Sequence, residues 1–122
     1  MKRTFTRAVA PFVRAELDQA REAENAGDPA QAFRYLERAH VVGQASTYWH
    51  VKVHGLMFLW ALRQHAPGEA VGQVIRTVGA ATKTALGLVP EGNTGGANVS
   101  PFRRMPVEPE LAAMIRKARA GH

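Results

Sequence analysis

The chain has no cysteine among its 122 residues. This absence excludes disulfide bonds, cysteine-based zinc fingers, iron–sulfur clusters and thiolate nucleophiles. Long hydrophobic runs are missing too: the longest apolar stretch, Leu56–Leu62, is far shorter than the roughly 20 residues that cross a membrane. The basic start Met1–Arg7 precedes an apolar run that is short, contains Pro11 and ends at Arg14. We therefore expect no signal peptide, no membrane partner and a cytoplasmic location.

What the chain does contain is typical of one small globular domain. Its apolar fraction is 46%, and a chain of 122 residues can form a single modest core. The net charge is +6, from 16 basic and 10 acidic residues. The basic residues are scattered along the chain, which favours a solvated surface over a nucleic-acid site. Aromatic residues such as Trp49 and Trp60 recur at helical spacing, which favours a role in the core over stacking on nucleic-acid bases.

Apolar residues recur at helical spacing through most of the first 86 residues, which predicts an all-α fold with four main helices. Asp28-Pro29 suits a helix start, and Ser46 or Thr47 can cap the third helix. Gly43 and the pair Pro67-Gly68 are expected to separate helices. The predicted helices cover residues 4–25, 29–41, 47–64 and 69–86, each bound being approximate.

From residue 87 onwards the helical period disappears. Turn-forming residues fill Gly92–Asn98, and four prolines prevent a long helix before a short final one over about 109–118. The apolar residues of this tail predict that it packs on the helices: they are Val99, Phe102, Met105 and Val107. We therefore expect a helical core over residues 1–86 and an irregular Gly/Pro-rich tail over 87–122, packed together as one domain.

Four of the five histidines lie within residues 40–65. His50 and His54 are one helical turn apart, so their imidazoles share one face of the third helix and can bind one metal ion. His40, near the end of the second helix, can approach them across the short connection. His65 lies about 16 Å beyond His54 along the helix axis and cannot join them.

A carboxylate from a neighbouring helix can complete this ligand set. Glu37 lies one turn before His40, and either Glu16 or Asp18 on the first helix can add a second carboxylate. Nitrogen and oxygen ligands of this kind suit zinc, copper, nickel or iron. The alternative interpretation is that the histidines only make hydrogen bonds or face solvent or an interface. The predicted metal ligands are His40, His50, His54, Glu37 and Glu16.

The chain resembles two known families. Residues 26–39 resemble the turn and second helix of a tetratricopeptide unit. Residues 36–40 (LERAH), 50–54 (HVxxH) and 92–106 (GNTGGANVSxFRxMP) resemble a family of uncharacterised bacterial proteins of about this length, and the resemblance covers nearly the whole chain. It implies no activity. Members of that family are often encoded near heavy-metal resistance genes, an association that supports the metal hypothesis without giving a mechanism.

The sequence therefore leads to two functional hypotheses. The first is a small soluble helical protein that binds a transition-metal ion through histidines, in metal handling or resistance. The alternative is a tetratricopeptide-like interaction module without metal, whose partner is another protein or a second copy of the chain. No Ser, His and Asp arrangement with a catalytic signature is present, so an enzyme is a third interpretation that depends on the metal alone.

Overall fold

The computed structural model describes residues 4–85, 93–97 and 104–121. Across these ranges the chain forms five α-helices and no strand, which confirms the all-α prediction. None of the five combines the length and the apolar composition that a membrane crossing requires. The helices are α1 Phe5–Asn25, α2 Pro29–Gly43, α3 Thr47–Arg63, α4 Pro67–Ala85 and α5 Pro109–Ala120.

Side-chain caps determine where the first three helices begin. Thr4, Asp28 and Ser46 each accept a hydrogen bond from the backbone N–H three residues further on. The predicted start of α4 at Glu69 was two residues late. Pro67 is the first residue of that helix, because a proline there lacks only an N–H that the helix does not use.

Gly43 has a packing role that the sequence did not reveal. We expected this glycine to terminate α2 after Val41, but it is the last residue of the helix and is buried. A Cβ at this position would meet side-chain atoms of Trp49 at 3.0 Å and Val13 at 3.1 Å. The glycine therefore lets α2 come close to both α1 and α3.

The helices pack in two pairs. α1 packs along α2, α3 packs along α4, and α5 contacts the α1–α2 pair. The largest buried apolar side chains are Trp49 and Met57 of α3, which join residues of α1, α2 and α5 in one core. Among the described helices α4 contacts α3 alone, and four of its apolar side chains are exposed: Val71, Val74, Ile75 and Val78.

One guanidinium links three helices. Arg38 of α2 donates to both carboxylate oxygens of Glu16 on α1, and to Glu108 and Glu110 at the start of α5. The side chain of Glu16 is 6% exposed and that of Arg38 is 22% exposed, so water screens their ion pair poorly. The hydrogen bond to Glu16 is the main cause that raises the pKa of Arg38. The network fixes α5 against the α1–α2 pair.

The described parts of the tail contact the helices. Three residues of the segment 93–97 are buried, and Val107 packs against the core. Met105 is half-buried, whereas the predicted anchors Val99 and Phe102 lie outside the described residues. The proposed division of the domain and the tetratricopeptide-like character of the α1–α2 pair stay predictions.

Candidate metal centre

Three buried histidines come together where α2 meets α3. His40 comes from α2, and His50 and His54 come from α3; their exposed fractions are 2, 3 and 2%. One ring nitrogen from each lies within 4.8 Å of the others, and the ring centroids are 4.7–4.9 Å apart. Within the described ranges, no other group of three or more His, Asp or Glu side chains lies close enough to share an ion.

A backbone carbonyl fixes the proton of His40. The Nδ1 atom of this imidazole lies 2.7 Å from the carbonyl oxygen of Asn93. A carbonyl oxygen only accepts hydrogen bonds, so Nδ1 must carry a proton and donate. In the neutral ring the Nε2 atom then has a free lone pair, and this atom faces His54.

Gln73 of α4 fixes the proton of His54 in the same way. The amide nitrogen of Gln73 donates to a carboxylate oxygen of Glu69 at 2.6 Å and to the carbonyl oxygen of Gly95 at 2.9 Å. These two acceptors determine the orientation of the amide, whose oxygen then lies 2.6 Å from Nδ1 of His54. His54 therefore donates from Nδ1, and its Nε2 atom faces that of His40.

The Nε2 atoms of these two rings face one another. The Nε2 atoms of His40 and His54 are 3.1 Å apart, and two neutral rings held in these tautomers have no proton to share between them. Burial, and then the neighbouring His54 and His50, lower the pKa of His40 well below its usual value, so a proton is a poor bridging cation here. A tetrahedral ion with bonds of about 2.0 Å holds its ligand nitrogens about 3.3 Å apart, close to the observed separation.

The predicted carboxylates do not join the three histidines. Glu16 is held by Arg38 between α1 and α2, so the structure corrects the sequence hypothesis that placed it with the imidazoles. Glu37 is half-buried, outside the group. Desolvation, and next the charge of Glu69, raise the pKa of Glu37, while a hydrogen bond with Thr94 lowers it. The described group of ligand atoms therefore consists of three imidazoles and no carboxylate.

Residues 93–97, which we call the strap, lie over the histidines. Asn93 accepts the hydrogen bond of His40, and its side-chain oxygen accepts one from the N–H of Gly95 at 2.9 Å. Gly95 has a φ of +84°, and a Cβ there would lie 2.5–2.7 Å from atoms of the His40 ring. Glycine alone adopts this left-handed backbone conformation easily and lies this close to the His40 ring without displacing it.

Three polar residues of α4 hold the strap. Besides Gln73, the carboxylate of Glu69 accepts from the N–H of Ala97 at 3.0 Å, and Arg76 donates to the carbonyl oxygen of Gly96 at 2.8 Å. The spacing of four and three residues puts all three side chains on one face of the helix. Sequence reasoning missed this role, because a polar helical stripe also forms wherever a helix faces water.

The sequence matches one family model. The match covers residues 7–115, and the family is described as a protein of unknown function (DUF3703). This agrees with the resemblance to an uncharacterised family; bacterial origin, the individual motifs and the gene neighbourhood stay predictions. Comparisons with curated proteins and with solved structures gave no match.

Proposed function

We propose that this chain, which belongs to the DUF3703 family of proteins of unknown function, binds one transition-metal ion through His40, His50 and His54. The observation that carries the proposal is the 3.1 Å separation of the Nε2 atoms of His40 and His54, whose Nδ1 atoms both face oxygen acceptors. Metal-bound histidines usually donate their other ring N–H to a carbonyl or carboxylate, which fixes the tautomer that binds metal. Asn93 and Gln73 supply such acceptors here.

The donor set favours certain metals. Imidazole nitrogens suit zinc, copper, nickel and iron(II), whereas magnesium and calcium prefer oxygen ligands. Three neutral imidazoles leave the full charge of the ion in place and leave a fourth coordination position for water or an anion. We infer a role in metal handling, in which the protein holds one ion in a buried site.

The experiment is a titration of metal-free protein, purified without an affinity tag, with Zn²⁺ or Cu²⁺ in a calorimeter. We expect one ion per chain and a higher melting temperature, because a ligand that binds only the folded state stabilises it. The double substitution His50→Ala and His54→Ala should abolish both effects, and His40→Gln should weaken both. Unchanged binding by the double variant would contradict the proposal.

A matched control uses the exposed histidine at the end of α3. His65 has a φ of +54°, a backbone conformation that asparagine tolerates. His65→Asn removes an imidazole without adding backbone strain. We expect this variant to bind metal as the wild-type protein does.

A second candidate function is self-association through α4. Val71, Val74, Ile75 and Val78 follow the spacing of a coiled-coil seam on this helix, and their exposed fractions are 50–72%. Two leucines of α3, Leu59 and Leu62, are 46 and 51% exposed. Together these side chains expose on the order of 500 Å² per chain, so two copies would bury about 1,000 Å², the lower limit of a specific interface.

The occupant that we propose for this face is a second copy of the chain. A two-fold axis brings such a face onto itself, so a charge close to the axis would meet its own copy. The four exposed α4 side chains carry no charge, and the cationic Arg76 of the same helix bonds to the strap. A single apolar seam fits one further helix of the same kind.

Analytical ultracentrifugation of the full chain tests this second function. We expect a dimer at micromolar concentration and a monomer for the double variant Val74→Glu and Val78→Glu. The control variant Ala30→Glu and Ala113→Glu adds the same charge at exposed positions of α2 and α5, and it should remain dimeric. A monomeric wild-type protein would refute self-association and leave the metal proposal intact.

A further inference from the structure

We propose that the strap, residues 93–97, controls how fast a metal ion leaves the three-histidine site; the proposal rests on the metal binding proposed above. The starting observation is burial. His40, His50 and His54 are at most 3% exposed, so an ion held between them cannot escape to bulk solvent unless some covering element moves. The strap covers His40 directly, through the carbonyl of Asn93 and the backbone of Gly95.

Polar contacts, and not hydrophobic burial, hold the strap in place. Its sequence is Asn-Thr-Gly-Gly-Ala, which has no apolar side chain larger than a methyl group. Three hydrogen bonds join it to α4: from Ala97 to Glu69, from Gln73 to Gly95, and from Arg76 to Gly96. The methyl group of Ala97 also lies against Gly72 of α4. A segment with few buried apolar contacts opens at low free energy, well below global unfolding. The helices around the histidines are held by large buried apolar side chains such as Trp49 and Met57, so we expect the strap to open before they do.

The hydrogen bond between His40 and Asn93 couples the strap to the ion. A cation on Nε2 withdraws electron density from the imidazole and makes the N–H on Nδ1 a stronger donor. The carbonyl of Asn93 accepts that hydrogen bond, so a bound ion stabilises the closed strap. Opening the strap breaks the bond and releases His40 to turn away from the ion. The rate of release should then follow the rate of strap opening.

The test measures zinc release from loaded protein into excess chelator by stopped flow. Arg76→Met removes the hydrogen bond to Gly96 and leaves the three histidines and Gln73 unchanged. We expect release to be about tenfold faster, the effect of losing one charge-assisted hydrogen bond. Electrostatics alone would act in the opposite direction, because removing a positive charge near the site favours retention of the cation.

Arg116→Met is the matched control. This arginine lies on α5, which does not contact α4, and its substitution removes the same charge. Zinc should leave this variant at the wild-type rate. If Arg76→Met also releases zinc at the wild-type rate, the strap does not control release and the proposal is overturned, while metal binding itself stands.

Hydrogen exchange of the metal-free protein tests the strap without any ion. The amides of Gly95 and Ala97 should exchange faster in Arg76→Met than in the wild-type protein, with unchanged exchange in α1 and α2. Equal protection in the two proteins overturns the proposed role of the strap, whether or not zinc binds. Failure of zinc to bind the wild-type protein contradicts the proposed function instead, so the two failures are distinguishable.

Discussion

The Nε2 atoms of His40 and His54 lie 3.1 Å apart while the Nδ1 atom of each ring faces an oxygen that can only accept. A histidine pair in a neutral hydrogen bond has one ring as donor and the other as acceptor. Here the Nδ1 atom of each ring donates to an oxygen, so two neutral rings would have no proton to place between their Nε2 atoms. This arrangement supports the proposed binding of a cation between the two rings, and the predictions below test it together with the helix contacts.

The first prediction concerns Gln73. The substitution Gln73→Leu removes the oxygen that accepts from His54 and leaves the ligand nitrogens in place. We expect zinc affinity to fall about 10- to 100-fold, the usual effect of losing a group that orients a ligand. Calorimetry gives the affinity, and ¹⁵N NMR of the imidazoles shows the tautomer of His54. A variant that keeps both the wild-type affinity and the wild-type tautomer would show that Gln73 does not position His54.

The second prediction compares two glycines with the same backbone conformation. Gly95 and Gly27 both have a φ of +84°, but a Cβ at Gly95 would meet the His40 ring, whereas one at Gly27 would meet nothing within 4 Å. Gly27→Ala should cost about 1–2 kcal/mol from the left-handed backbone alone. Gly95→Ala should cost more, and it should also weaken zinc binding because the ring or the strap must shift. Denaturant unfolding measures the difference, and equal losses for the two variants would exclude the contact with His40.

The third prediction concerns Arg38. Arg38→Met leaves the buried Glu16 carboxylate without its partner and removes the hydrogen bonds to Glu108 and Glu110 at the start of α5. We expect a loss of about 3 kcal/mol in the free energy of unfolding, because an uncompensated buried charge is costly. Arg63→Met breaks the more exposed pair with Glu24 and should cost no more than about 1 kcal/mol. Similar losses in the two variants, measured by urea unfolding, would argue against the special role of the Arg38 network.

The fourth prediction is a pH dependence of the metal-free protein. Because burial holds the pKa of His40 well below 6.5, the unfolded chain binds more protons than the folded one as the pH falls below that value. The melting temperature should therefore decrease from pH 7.5 to pH 5.5. His40→Gln should reduce this dependence, since glutamine does not titrate. The pKa of Glu24 is lowered by its hydrogen bond with Arg63, so its contribution is lost only at more acidic pH. A constant melting temperature would refute the buried neutral state of His40.

The sequence by itself determined the helices and the pairing of two histidines. Helical periodicity, the capping residues Thr4, Asp28 and Ser46, and the four-residue spacing of His50 and His54 act within a few residues along the chain. Such local preferences can be predicted from the sequence without knowing which helices pack against one another. The short connection between α2 and α3 limited how far His40 could lie from the other two imidazoles, and the structure brings all three together.

Only the tertiary structure decided which groups surround the histidines. Gln73 and Asn93 lie far along the chain from the imidazoles that they orient, and neither position has a local pattern that predicts the contact. Glu16 is the converse case. A carboxylate can bind a metal ion, but the packing of α1 on α2 places this one beside Arg38, which donates to both of its oxygens. The direction of a side chain depends on how whole helices pack, through many weak contacts between distant residues, and no short stretch of sequence contains that information.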